Sequence, residues 1–288
     1  MSSARKPKTK AAGRSRAKSG NRKAGQRLAL ASAETASGPW MIPTRHIKFL
    51  VGFLLLPLAW VLTQTFFNSF HRATVEHQFW QSEEFWFFCL GAALWTLWFL
   101  GSFWAMGEPR PLRVYVFGHE LTHAMWVWAW QGKVSQFKGW SRDGGYIVCD
   151  THNFWIALAP YFYPIYSFAV IVVYALASIF YNVAAATDTF LLMTPLQWLF
   201  LLLGATWAFH LSFTVWMIPK GQTDLTYHGT FFSLVVIYIM NVLLLTVFLV
   251  VGAPEVSFAA FGNELMENAT ELFNAAGSLV ERVLRAWG

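Results

Sequence analysis

Charged residues are scarce in this chain of 288 residues: they make up 12% of it, whereas hydrophobic residues make up 56%. A soluble globular domain carries about 25% charged residues, so the composition excludes an ordinary soluble fold. Cysteine is scarcer still. Cys89 and Cys149 offer at most one pair, which excludes a disulfide framework. The sequence also shows no internal repeat.

The sequence contains several long apolar runs. A run of roughly 18 apolar residues is long enough to cross a bilayer as a helix. Six runs approach or exceed that length: residues 47–67, 85–105, 112–130, 153–180, 190–218 and 229–252. We therefore predict an all-α polytopic membrane protein with about six transmembrane helices, in which the polar segment 68–84 joins the first two.

The basic residues are concentrated at the N-terminus. The first 27 residues hold ten of the 21 Lys and Arg residues and no acid, which leaves 11 basic and 15 acidic residues elsewhere. We predict a disordered basic tail over residues 1–45, because such a polar segment buries too little apolar surface to fold. We expect this tail to be solvated and to influence topology, with no specific nucleic-acid binding. A membrane-embedded core is predicted over residues 46–253.

Segment 131–152 has the pattern of a β-hairpin. The β-prone stretches "KVSQF" and "GYIV" are separated by "KGWSRDGG", which is rich in turn residues. Open strand edges are not tolerated in lipid unless protein or a water-filled cavity covers them. A small hairpin here, within a membrane protein, therefore implies a cavity beside it.

The C-terminal segment, residues 254–288, is predicted to be an amphipathic helix. Its apolar residues recur at alternating spacings of four and three: Leu265, Ala269, Leu272, Ala276, Leu279 and Val283. This spacing is typical of a helix that pairs with another helix, here through residues 262–287, or that lies on the membrane surface.

Two histidines and a glutamate interrupt the third apolar run, in the sequence His119-Glu120-Leu121-Thr122-His123. Positions i and i+4 lie on the same face of a helix, so both imidazoles can bind one metal ion. Glu120 lies beside them and can activate a water molecule. Zinc is the expected metal, because neutral imidazoles suit it and a catalytic site uses three protein ligands plus water.

A non-catalytic alternative is a membrane scaffold, in which these residues form a polar cluster between helices or a structural metal site. Structural zinc sites are closed by four protein ligands and need no spare carboxylate, so Glu120 favours catalysis. A di-iron lipid oxidase is disfavoured: it needs many paired histidines, and of the eight here only His119 and His123 are closely spaced on a helix face.

A third metal ligand has to come from a distant part of the chain. The His-x-x-Gly-x-x-His extension of soluble zinc proteases is absent, since Ala124, Met125 and Trp126 follow the second histidine. The chemistry of the side chains alone does not rank the candidates, which are Asp150, His152, His210, Asp224 and His228.

The order of the motif from His119 to His123, then "GKVSQF", then "DGGYIV" resembles the site-2 protease family of intramembrane zinc metalloproteases. In that family a distant aspartate completes the metal site. By its position in the chain, Asp224 in "GQTDLTYHG" corresponds to that aspartate. The likeness covers residues 113–230. Here Thr-Asp-Leu stands where the family often has Leu-Asp-Gly, and no Asn-Pro precedes it. The alternative for Asp224 is a helix N-cap.

The resemblance implies a zinc endopeptidase in which Glu120 is catalytic and His119, His123 and Asp224 bind the metal. It further implies a multi-pass protein of a bacterial cell membrane, with membrane-spanning proteins as substrates and the lipid bilayer as surroundings.

Overall fold

The computed structural model describes residues 44–75, 79–142, 144–253 and 256–287. The predicted tail, residues 1–45, lies outside this range except for its last two residues. The chain divides into two units after Ile47. Of the first unit, the structure describes only the first turn of one helix, and the contacts and sites below concern the second unit.

Helices dominate the described residues, and one two-stranded sheet interrupts them. The elements are α1 (Thr44–Leu54), α2 (Leu56–Val75), α3 (Glu83–Met106), α4 (Leu112–Ala129), β1 (Val134–Lys138), β2 (Tyr146–Cys149), α5 (Phe154–Phe162), α6 (Ile165–Phe180), α7 (Pro195–Met217), α8 (Thr223–His228), α9 (Thr230–Gly252) and α10 (Phe258–Trp287).

Four helical stretches of the described chain are long and apolar enough to cross a membrane. They are His46–Val75, which joins α1 and α2, then α3, then α7 with the short 3-10 turn after it, and α9. Helices α5 and α6 meet at an angle of 74° and count as a fifth span if the bent pair is taken as one. The fold is therefore a helical membrane protein, as predicted.

The predicted number of six spans does not hold by this measure. Helix α4 occupies the third predicted span but is not apolar enough to count as a membrane-spanning helix. Its hydropathy is lowered by four residues: Arg113, His119, Glu120 and His123. The fourth predicted span is broken at Tyr163 and Pro164, where proline removes a backbone N–H and ends the first helix.

Helix α2 continues to Val75, through residues that the sequence pattern placed in a polar connection. Its polar side chains have partners on α10: Arg72 and Ser69 both donate to the Glu264 carboxylate, at 2.7 and 3.0 Å. Deeper along the same pair, the Asn268 amide donates to the Thr65 hydroxyl at 2.9 Å. The segment stays helical because α10 satisfies its polar groups.

Helices α3 and α7 lie side by side in the same direction. The Gln197 amide donates to Glu83 at their first turns, and the Trp95 indole donates to Ser212 further along. Gly91 and Gly204 form the crossing, where each faces the other helix's backbone with no room for a Cβ atom. Small residues allow this close approach of membrane helices.

The predicted hairpin is present. Strands β1 and β2 pair antiparallel, with Phe137 opposite Ile147 and Lys138 opposite Tyr146. Phe117 of α4 packs against Phe137 and Trp140, so the hairpin lies along the helix that carries the histidines.

Candidate metal centre

Helix α4 presents the two histidines to the interior. His119 and His123 lie one helical turn apart, with ring centroids 4.9 Å apart, and 9% of each side chain is exposed. The intervening Thr122 is buried and donates to the Gly118 carbonyl at 2.8 Å, so it adds no competing polar group to the site. The prediction that both histidines lie on one face of a helix is confirmed.

Asp224 lies close to the two histidines although it is distant from them in the sequence. It lies in the first turn of α8, whose N-cap is Gln222 and whose cap has no side-chain hydrogen bond. Its carboxylate oxygen Oδ2 instead lies 3.4 Å from Nε2 of His119 and 3.5 Å from Nε2 of His123. Asp224 is therefore not the N-cap of this helix, which was the alternative role for it.

These three side chains form a group that could hold a metal ion. One potential ligand atom from each lies within 4.8 Å of the other two. Two imidazole nitrogens and a carboxylate oxygen make up a common ligand set for zinc and related divalent ions.

One hydrogen bond of His123 determines the tautomer of its imidazole ring. Its Nδ1 lies 2.8 Å from the Ile156 carbonyl oxygen, which can only accept. Nδ1 must therefore carry the proton, and in a neutral ring Nε2 is a bare acceptor. That acceptor faces a carboxylate at 3.5 Å, an arrangement that a cation, either a metal ion or an added proton, would stabilise.

Two tyrosines complete the surroundings of the group. The Tyr161 hydroxyl donates to Oδ2 of Asp224 at 3.2 Å, and the Tyr115 hydroxyl lies 3.3 Å from Nδ1 of His119. Groups of this kind orient metal ligands and set their tautomers. The sequence signal for Tyr115 is its position one turn before His119. Tyr161 and the Ile156 carbonyl carry no such signal, because they are adjacent to the site only after folding.

A cavity of about 300 Å³ opens beside the group. Its lining comes from α4, the hairpin, the following loop, α5, the end of α7 and the start of α8. It includes Glu120, His152, the Gly144–Ile147 segment and the three candidate ligands. Glu120 is buried, with 7% of its surface exposed. A Cβ atom at Gly145 would lie 2.3 Å from the Glu120 Cγ atom, so the hairpin backbone packs directly on this carboxylate.

The remaining sequence candidates lie outside the group of three. Asp150 accepts from the Lys133 backbone N–H at 2.7 Å and closes the base of the hairpin. His210 is buried on α7, and its Nε2 has no hydrogen-bond partner. His152 lines the cavity, and His228 lies behind it, with Lys48 donating to its Nδ1 at 2.8 Å.

The electrostatics of the groups on the loops and on α8 agree with these contacts. Burial raises the pKa of the Asp224 carboxyl, but its interactions with the His119 and His123 imidazoles outweigh burial and hold that pKa well below its usual range. Burial, reinforced by the Lys48 ammonium, lowers the pKa of His228 to about 4. The Lys133 N–H lowers the pKa of Asp150. Asp224 is thus an anion at neutral pH.

Fold and site together define a class: a helical membrane protein with a nearly buried His-His-Asp group that could hold a metal ion, beside a cavity that contains a glutamate. Comparisons of the chain with models of protein families, with curated proteins and with solved structures find no match. The likeness to the site-2 protease family therefore rests on the motif and its spacing.

Proposed function

We propose that this chain is an intramembrane zinc metalloprotease, similar to the site-2 proteases, that hydrolyses peptide bonds of membrane-spanning substrates. The observation that carries the proposal is the pair of facing acceptors, Nε2 of His123 and Oδ2 of Asp224, 3.5 Å apart. A bound cation resolves their repulsion, and His119 supplies the third donor. Zinc suits this donor set, which leaves a fourth position for water or substrate.

The residues of the chain then have distinct roles. Zinc, when bound, supplies the Lewis acidity that makes water nucleophilic near neutral pH. Glu120 lines the cavity beside the ligands and accepts the proton of the attacking water. The same carboxyl then gives that proton to the leaving amine. Tyr161 and Tyr115 hold Asp224 and His119 in position through the contacts described above.

The hairpin supplies a way to present the substrate. Residues Gly144–Ile147, at and just before β2, line the cavity, and the sheet contains two strands in the described chain, so β2 has one edge that β1 does not cover. A transmembrane substrate has to unwind before its backbone is accessible. The unwound segment then adds to the β2 edge as a further strand, through main-chain hydrogen bonds.

The first test is the zinc content of the detergent-purified protein, measured for the wild type and for His123→Ala and Asp224→Ala. We expect about one zinc per chain in the wild type and loss of zinc in both variants, because each removes one of three ligands. Asp150→Ala is the matched control: it removes a carboxylate from the hairpin base and should retain zinc.

Zinc lost in His123→Ala but kept in Asp224→Ala would remove Asp224 from the ligand set. An absence of zinc in the wild type after reconstitution would contradict the protease proposal and favour the alternative, a polar cluster in a membrane scaffold. With zinc established, Glu120→Gln should retain the metal and lose cleavage of fluorescein-labelled casein in detergent. Equal cleavage by this variant and the wild type would contradict the role of Glu120.

A further inference from the structure

His152 is a third imidazole on the wall of the cavity, outside the His-His-Asp group. It lies on the loop that follows β2, and aromatic neighbours fix its ring. The ring stacks on His228, with centroids 5.8 Å apart and planes at 16°, and meets Tyr227 edge-on at 5.0 Å.

The supporting ring is itself held in place. Lys48 donates to Nδ1 of His228 at 2.8 Å, and His228 is 5% exposed. Helix α1 and helix α8 thus fix His228 together, and His228 fixes His152. The His152 imidazole lines the same cavity as His119, His123 and Asp224. It therefore borders the cavity in which a substrate would meet the metal.

We propose that His152 contacts the substrate, with a ring N–H donating a hydrogen bond to the carbonyl oxygen of the peptide bond under attack. This inference rests on the proposed protease function. Negative charge develops on that oxygen as water adds, and a fixed donor aimed at it stabilises the transition state. Gln222 and Thr223 also line the cavity and carry donors, whereas Glu120 can only accept when ionised and the Tyr115 hydroxyl is engaged with His119.

The test uses the full-length protein loaded with cobalt(II), whose visible absorption reports on its ligands. Acetohydroxamic acid is titrated in as a probe that binds the metal and presents an oxygen carrying negative charge. We expect His152→Ala to weaken probe binding by about 10- to 100-fold, the usual effect of losing a hydrogen bond to a charged group. His152→Gln keeps an N–H donor and should recover part of the loss.

His71→Ala is the matched control, because His71 is exposed on α2 and far along that helix from the cavity; it should bind the probe as the wild type does. Wild-type affinity in His152→Ala, with cobalt content and spectrum unchanged, would overturn the inference while leaving the protease proposal intact. A changed cobalt spectrum before the probe is added would also overturn it, since His152 would then be a ligand. A wild type that binds no cobalt would overturn both proposals.

Discussion

The close contact between Gly145 and Glu120 restricts the position of the Glu120 carboxylate, which has the proposed catalytic role. An alanine Cβ at position 145 would lie 2.3 Å from Cγ and 2.7 Å from Oε1 of Glu120, distances that force one of the two groups to move. The hairpin backbone therefore limits where the carboxylate can be. Glycine is required here for close approach rather than for a special backbone angle.

We predict that Gly145→Ala reduces cleavage by about 100-fold, because a displacement of about 1 Å at a reacting group has effects of this size. Zinc content should not change, since the three atoms nearest to a Cβ at position 145 belong to Glu120 and Lys138 and not to a proposed ligand. The measurement is the cleavage rate of fluorescein-labelled casein beside metal analysis.

Gly277→Ala serves as the control for this variant, because a Cβ atom at position 277 has open space. It should cleave at the wild-type rate. If Gly145→Ala did so as well, the hairpin would not constrain Glu120.

The side chains of the site could be predicted from the sequence to very different extents. The motif places His119, Glu120 and His123 together, because helical periodicity alone does so. Asp224 follows only from the family resemblance, since 101 positions separate it from His123. The Ile156 carbonyl, which sets the His123 tautomer, could not be predicted, because every residue has a carbonyl group and only packing selects one.

At the scale of helices, the crossing of α3 and α7 is the tightest contact that a substitution can test. A Cβ atom at Gly91 would lie 1.9 Å from the Leu201 carbonyl oxygen, and one at Gly204 would lie 1.9 Å from the Phe88 carbonyl oxygen. Both neighbours are backbone atoms, which cannot turn away as a side chain can. Accommodating a methyl group would therefore require the helices to separate.

We predict that Gly91→Ala and Gly204→Ala each destabilise the protein by about 1–3 kcal/mol or more, the range for overpacking a tight interface. Thermal unfolding in detergent, followed by tryptophan fluorescence, measures the change. Gly101→Ala in the same helix α3 is the matched control, since a Cβ atom there has nothing within 4 Å. It should be neutral or slightly stabilising because alanine favours a helix. Equal melting temperatures for Gly91→Ala and Gly101→Ala would contradict the close crossing.

The hairpin gives a second prediction at this scale. Ile147→Pro removes a backbone N–H from β2 and restricts its backbone, so we expect cleavage to be lost while zinc is retained. Ile147→Val keeps the N–H and a β-branched side chain, and it should cleave normally. Retained cleavage in Ile147→Pro would argue against strand addition at β2, whereas loss of zinc would show that the hairpin is needed to assemble the metal site.

The boundaries of the elements show why apolar runs predict helices better than they predict spans. Each predicted run contains a helix, but α2 extends into polar sequence because Glu264 of α10 meets Arg72 and Ser69. Such a contact joins residues almost 200 positions apart and leaves no local signal. The 74° bend between α5 and α6 is likewise set by packing. Pro164 indicates a break in the helix but not the angle of the break.

At the scale of the whole molecule, helix directions define two ends. Helices α3 and α7 run in the same direction, so the segment before α7 lies at the end where α3 begins. The loops before α4 and before α8 lie at the opposite end, together with the cavity and the hairpin. That end carries a concentration of basic residues: Lys48, Arg110, Arg113, Lys133, Lys138, Arg142 and Lys220. At the first end, Arg72 is paired with Glu264.

Lys and Arg near membrane helices favour the cytoplasmic side, so we predict that the cavity opens toward the cytoplasm. Lys48, near the start of α1, lies at the same end as the hairpin, since it donates to His228 of α8. An even number of crossings between them would follow from α2 and α3 alone. Helix α4 then need not cross the membrane, which agrees with its low hydropathy.

Cysteine labelling in intact cells tests this orientation. With Cys89 and Cys149 replaced by Ala and Ser, single cysteines are introduced as Asp188→Cys, before α7, and as Lys220→Cys, after it; both positions are exposed. A membrane-impermeant maleimide should label the first in intact cells and the second only after the membrane is opened. The reverse pattern would place the metal cavity outside the cytoplasm. Labelling of both in intact cells would mean that α7 does not cross the membrane, which its length and apolar composition argue against.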